Sequence, residues 1–145
     1  MEYNNEKHLK LIEQYLNLKK QNKNLLYENR KAASELTYYE IQLYNHIFWT
    51  KKTHFVLLMQ NYIDNLITLE NFEAEFSFLW YSKMEKLQAI KLDLEWLKNF
   101  YPSPQSENFG TYITAVFRQF EELDDEVCNE QEARDFIIHI LDQIQ

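Results

Sequence analysis

A chain of 145 residues with one Gly and two Pro lacks the turn punctuation that a many-stranded fold requires, and a single Cys excludes an intrachain disulfide framework. Its length is enough to bury about 68% of the surface an unfolded chain exposes, so one self-sufficient core is expected. The net charge of −8 is unevenly divided: residues 1–60 carry nine Lys/Arg against six Asp/Glu, and residues 61–145 carry six against seventeen, a field that opposes nucleic acid and anionic lipid.

In chain order, Leu9, Ile12, Tyr15 and Leu16 follow helical spacing. Asn17 to Asn24 is polar apart from Leu18, so the middle of this first helix is expected to be exposed before Leu25 and Leu26 resume. Leu36, Tyr39, Leu43 and Ile47 mark a second helical face with Ser34 as its expected N-cap. Thr50-Lys51-Lys52-Thr53 interrupts it, and periodicity alone leaves open whether 34–67 is one helix or two. Phe55, Leu58, Met59, Tyr62, Ile63 and Leu66 form the next apolar stripe, and Thr68 is placed to cap another helix.

The segment after Thr68, about 69–100, presents Phe72, Phe76, Leu79 and Trp80, then Leu87, Ile90, Leu94 and Leu97, with a bend expected near Ser82. Pro102-Ser103-Pro104-Gln105-Ser106 predicts a surface loop, since proline disfavours helix at and before its own position. A short amphipathic helix carrying Phe109, Ile113, Val116, Phe117 and Phe120 comes next, with Gly110 near its start. Asn129-Glu130-Gln131-Glu132 then reads as a capping box, opening a last helix whose buried face is Ala133, Phe136, Ile137, Ile140, Leu141 and Ile144. The fold class expected is all-α, a single-domain bundle of five or six helices, with 1–54 as an N-terminal helical extension and 55–145 as the main helical core. No internal repeat is evident.

Constellations that carry chemistry are sparse. His8, His46, His54 and His139 show neither His-Glu-x-x-His nor Glu-x-x-His spacing, so no metal or other cofactor is expected, and His139 reads as a partly buried packing residue. Cys128 stands among carboxylates, which raise a thiol pKa and make it a poor nucleophile. One glycine cannot build a phosphate-binding loop, which removes the common nucleotide-binding motifs. Asp124-Asp125-Glu126 lacks the alternating ligands and central glycine of a calcium loop. The basic N-terminal stretch from Lys7 to Lys31 has few arginines and reads as a solvated face rather than an RNA site. No apolar run approaches the roughly 20 residues of a membrane span, and the segment from Met1 to Asn5 has no basic signal-like region, so a soluble, uncleaved, cytoplasmic protein (or one of an organelle stroma or matrix) is expected. The densest feature left is Glu121, Glu122, Asp124, Asp125, Glu126, Glu130, Glu132 and Asp135, offset only by Arg134.

From about residue 55 the order of features resembles the colicin D-type immunity proteins. The similar residues are Tyr62-Ile63, Ile67-Thr68, Phe72-Glu73, Phe76 and Leu79-Trp80, then Ile113, Phe117, Glu132, Phe136-Ile137 and Leu141. It is a dispersed hydrophobic pattern with no catalytic signature, and residues 1–54 fall outside it. The resemblance implies a small helical, non-enzymatic protein that guards a toxin producer against its own tRNA-cleaving nuclease by laying acidic surface over the basic RNA-binding cleft. Charge and clustering, rather than matched family positions, assign that role here to the eight carboxylates. Association would be fast and salt-sensitive, with Phe120 or Val127 expected to add apolar contact. The alternative expectation is a structural or adaptor subunit that docks on a larger assembly through its N-terminal helices.

Overall fold

The computed structural model describes residues 2–144. The Leu94 side chain, assigned above to an apolar stripe, lies outside what is described, as do Met1 and Gln145. The described residues hold no strand and nine helical segments, α1 (Asn5–Lys20), α2 (Leu25–Glu28), α3 (Arg30–Thr50), α4 (Lys52–Ile63), α5 (Leu69–Tyr81), α6 (Lys83–Leu92), α7 (Leu94–Lys98), α8 (Pro104–Asp124) and α9 (Glu130–Ile144). With α2 a single turn, eight helices exceed one turn, more than the five or six expected.

Each additional break has a local cause. A helix continued from Ile47 through Phe55 would carry Lys51 and Lys52 onto its buried stripe. Ending α3 at Lys51 instead lets the Lys51 ammonium reach the Ser82 hydroxyl, and Lys52 lies over the Trp49 ring. Ser82 in turn donates to the Leu79 carbonyl at 2.8 Å, the kind of local bond that competes with the helix ladder, and α5 gives way to α6 there. Asp93 accepts from the Trp96 amide at 3.1 Å, capping α7 and separating it from α6. Near the N-terminus the chain leaves α1 at Gln21, so the polar run is the last turn of α1 followed by a short connection at 21–24, not an exposed mid-helix. The cap of α3 is Asn29, which accepts from the Ala32 amide at 3.1 Å, and Ser34 lies inside the helix.

The proline segment is also shorter as a loop than expected. Ser103 caps α8 through the Ser106 amide and Pro104 takes the first helical position, where its missing N–H and fixed φ suit the helix start. The expected short helix is therefore 21 residues long. Thr68 caps α5 as expected, accepting from the Asn71 amide at 3.2 Å.

With so few glycines, other residues take left-handed backbone. Asn22, Asn65 and Glu126 have φ of 57°, 59° and 58°, each closing a helix end. At all three, the next amide bonds back over the turn at 2.8 Å: Lys23 to Leu18, Leu66 to Asn61, and Val127 to Glu122. The one glycine, Gly110, instead permits close contact, because a Cβ there would fall 2.0 Å from Asn45 Oδ1 on α3.

Two apolar clusters sit along α3. One gathers Leu11, Ile12, Leu25, Leu36, Tyr39, Leu43, Leu87 and Leu97, drawing on α1, α2, α6 and α7, so it joins residues from both sides of position 54. The other lies inside a ring formed by α4, α5, α8 and α9, each packed on two neighbours, with Phe48 of α3 reaching in. Rings fill it: Tyr62 stacks on Phe72 at 4.7 Å, Phe72 and Phe76 meet Phe120 edge-on, and Trp80 stacks on Phe117 at 4.3 Å.

Candidate functional site

The ring of helices brings two turns side by side at one end. The α4–α5 turn and the α8–α9 turn have the same plan: a capping aspartate (Asp64, Asp125), a left-handed residue (Asn65, Glu126), an exposed apolar residue (Leu66, Val127), and an Asx or Thr cap for the next helix. They are tied together across α9. Arg134 donates to the carbonyls of Tyr62 at 3.3 Å and Ile63 at 2.8 Å, and its guanidinium lies over the Tyr62 ring. The Tyr62 hydroxyl donates to Glu130 at 3.0 Å, and burial, followed by that carboxylate, pushes the phenol pKa up.

Arg134 therefore serves the C-terminal carbonyls of α4 rather than the carboxylates beside it. Among the described residues, no cation lies within ion-pair distance of Glu121, Glu122, Asp124, Asp125, Glu126, Glu130, Glu132 or Asp135. Their bonds are to neutral donors: Glu122 accepts from Gln119 at 3.1 Å, Asp135 from Gln131 at 2.9 Å, and Glu132 from the Asn129 amide at 3.4 Å. The last of these is one half of the expected capping box, and the Glu132 amide donates back to Asn129 at 2.9 Å. Seven of the eight carboxylate residues are exposed and Glu122 is half-buried.

The eight are not one continuous row. Asp124, Asp125 and Glu126 lie at the end of α8 and in the turn, while Glu130, Glu132 and Asp135 occupy the first turns of α9. Glu122 and Glu132 both act on Cys128, whose thiol is raised by desolvation and then by these two charges. Glu73, named above for the family resemblance and not as part of the acidic set, also belongs to this end. From α5 it comes near Asp124, and its carboxyl is raised first by desolvation and then by that neighbour. Glu70 joins as well, lining one open groove together with Glu130, Leu66 and Leu69. No local signal marks either residue, since both depend on which helix α8 packs against.

Three expectations change. Phe120 is buried, only 6% exposed, and contributes to the core instead of a contact surface, whereas Val127 is 70% exposed. Leu66, placed above in a buried stripe, is 72% exposed because the turn after α4 swings it outward. His139 is exposed, as its helix buries Ile137, Ile140 and Leu141.

Chemically, this end is a fixed negative field with two apolar tips. Among the described residues no group of three His, Cys, Asp or Glu is arranged to hold a metal ion, and no helix is long and apolar enough to cross a membrane. No family model matches the chain, and no curated protein or solved structure matches it either.

Proposed function

We propose that this chain is a non-enzymatic binding protein that blocks a basic RNA-cleaving toxin of the tRNase type by covering its active-site cleft with the acidic end. One observation carries the reading: eight carboxylate residues around the α8–α9 turn lack ion pairs among the described residues, while Arg134, which stands among them, is held by backbone carbonyls. Carboxylates in that state are available to lysines and arginines that would otherwise hold RNA phosphate. Their summed field speeds encounter with a basic surface by about 10 to 10³-fold. The exposed tips Leu66 and Val127 flank that field and supply the apolar contact that slows dissociation.

The test is co-expression with a colicin D-type tRNase toxin domain, using the wild type and a variant in which Glu121, Glu122, Asp124, Asp125 and Glu126 become Gln or Asn. The wild type restores growth with its cognate toxin and the variant does not; purified complex forms more slowly as salt is raised. No protection against the cognate toxin refutes the reading. The adaptor reading rests on a different surface, the N-terminal helices, where Leu26 and Tyr27 of α2 are 48% and 84% exposed. A complex that survives neutralisation of the carboxylates but is lost in Leu26→Ser/Tyr27→Ser favours it.

A further inference from the structure

Between α3, α8 and the α5–α6 bend lies a pocket of about 450 Å³, within the size range of small-molecule sites. Its wall is aromatic, with Tyr44 and Phe48 from α3 and Trp80 from α5. Lys83 projects into this wall, its ammonium 3.6 Å from the Trp80 ring centroid, 4.7 Å from Tyr44 and 5.2 Å from Phe48. Arg118 enters from α8, near Thr114 and Asn45.

Two of the lysines drawn inward are treated differently. Lys91 has Glu40 at 2.5 Å, whereas Lys83 has no carboxylate within ion-pair distance among the described residues. Ring faces attract a cation but do not replace an anion when it is partly desolvated. Burial accordingly pushes the Lys83 amine down to about 8. Arg118 is likewise without an ion pair, although Glu121 and Glu122 come one helical turn after it. The geometry points to a binding site for a small organic anion, whose carboxylate or phosphate oxygens meet Lys83 and Arg118 while a compact apolar body lies against the aromatic wall. The site adjoins the α8 side of the acidic end but is opposite to it in sign and uses none of its carboxylates, so it stands whether or not a toxin is the partner.

The experiment is an NMR titration of the full chain at low salt with benzoate, phenyl phosphate, inorganic phosphate and, as a cationic control, benzylamine. Benzoate or phenyl phosphate produces saturable shifts of the Trp80 indole N–H and the Asn45 and Thr114 amides, and benzylamine produces none. Whichever of the two binds more tightly identifies the head group. Lys83→Gln, with its remaining amide spectrum unchanged, weakens binding about tenfold or more, the loss of one charge-assisted hydrogen bond. In the wild type the Lys83 side-chain titration moves to higher pH when the anion is bound, a readout that needs no variant. Absence of saturation by about 10 mM of either aromatic anion overturns the proposal. So do equal affinities in Lys83→Gln, an unmoved Lys83 titration, or inorganic phosphate binding as tightly as phenyl phosphate.

Discussion

Beneath the acidic end, Phe55, Phe72, Phe76 and Phe120 meet ring against ring, with no buried charge on the helices around them. The cluster toward the N-terminal part of α3 is built on helices that bury His8, Glu35, Gln42 and Lys91 with its leucines. There Lys91 pairs with Glu40, Glu35 pairs with Lys7 at 3.1 Å, and His8 Nδ1 bonds the Tyr3 hydroxyl at 2.6 Å. His8 Nε2 and Gln42 Oε1 have no hydrogen-bond partner among the described residues. The aromatic cluster is held by volume and area. The polar one depends on particular partners, because each buried charge or amide is costly wherever its complement is absent.

The largest effects test that difference directly. Phe76→Ala removes a fully buried ring and is expected to destabilise by about 3–5 kcal/mol, with no single second substitution able to restore it. Lys91→Met is expected to cost about 3 kcal/mol because Glu40 is left partly buried without its cation. Adding Glu40→Leu should then recover most of that loss. Urea unfolding of Phe76→Ala, Lys91→Met, Glu40→Leu, the Lys91→Met/Glu40→Leu double variant and wild type measures these effects. A Lys91→Met cost below about 1 kcal/mol would mean the two clusters are held together alike.

His8 gives the next effect, and it applies to the polar cluster alone. Burial, and then the nearby Lys91 charge, lowers its pKa from 6.5 to about 4. The folded state thus prefers the neutral ring, and the unfolded chain takes up the proton more readily between these values. The stabilisation is fully present above about pH 6.5 and is lost as pH falls toward 4, by about 3 kcal/mol in total. Glu73, raised in the fold, has the opposite sign and loses its contribution as pH rises. Urea midpoints at pH 7 and pH 4.5 should therefore differ less in His8→Phe than in wild type; an unchanged difference excludes His8 as the source.

The two clusters were also unequally legible. The aromatic one is readable from i, i+3, i+4 stripes at Phe55–Tyr62, Phe72–Leu79 and Ile137–Leu141, and Thr68 and Asn129 carry their own capping signals. Lys91 and His8 give no such signal, since a lysine or histidine on a helix is ordinarily at the surface and only a partner that the helical pattern does not indicate, Glu40 or Tyr3, makes burial tolerable. The interruption at Thr50–Thr53 and the bend near Ser82 were legible, but the bond that ties Lys51 to Ser82 was not, because it spans the chain from position 51 to position 82. At the acidic end, the local run was readable but its depth was not. Glu70 and Glu73 join it only because α5 packs beside α8 and α9 comes down on Tyr62.

The smallest expected effect compares the two turns that build this end. Both close with a left-handed residue, but the α4–α5 turn uses Asn65, which tolerates that backbone, and the α8–α9 turn uses Glu126, which does not gain from it. Stability alone would place Gly or Asn at both. Glu126→Asn should therefore raise stability by about 0.5–1 kcal/mol while removing one exposed carboxylate, and Asn65→Glu should lower it by a similar amount. If the negative field serves a basic partner, Glu126→Asn also slows association with the cognate toxin, most visibly at low salt, with little change in dissociation. A gain in stability with an unchanged association rate would leave Glu126 as an unrelieved strain in the turn, and would remove its carboxylate from the docking face.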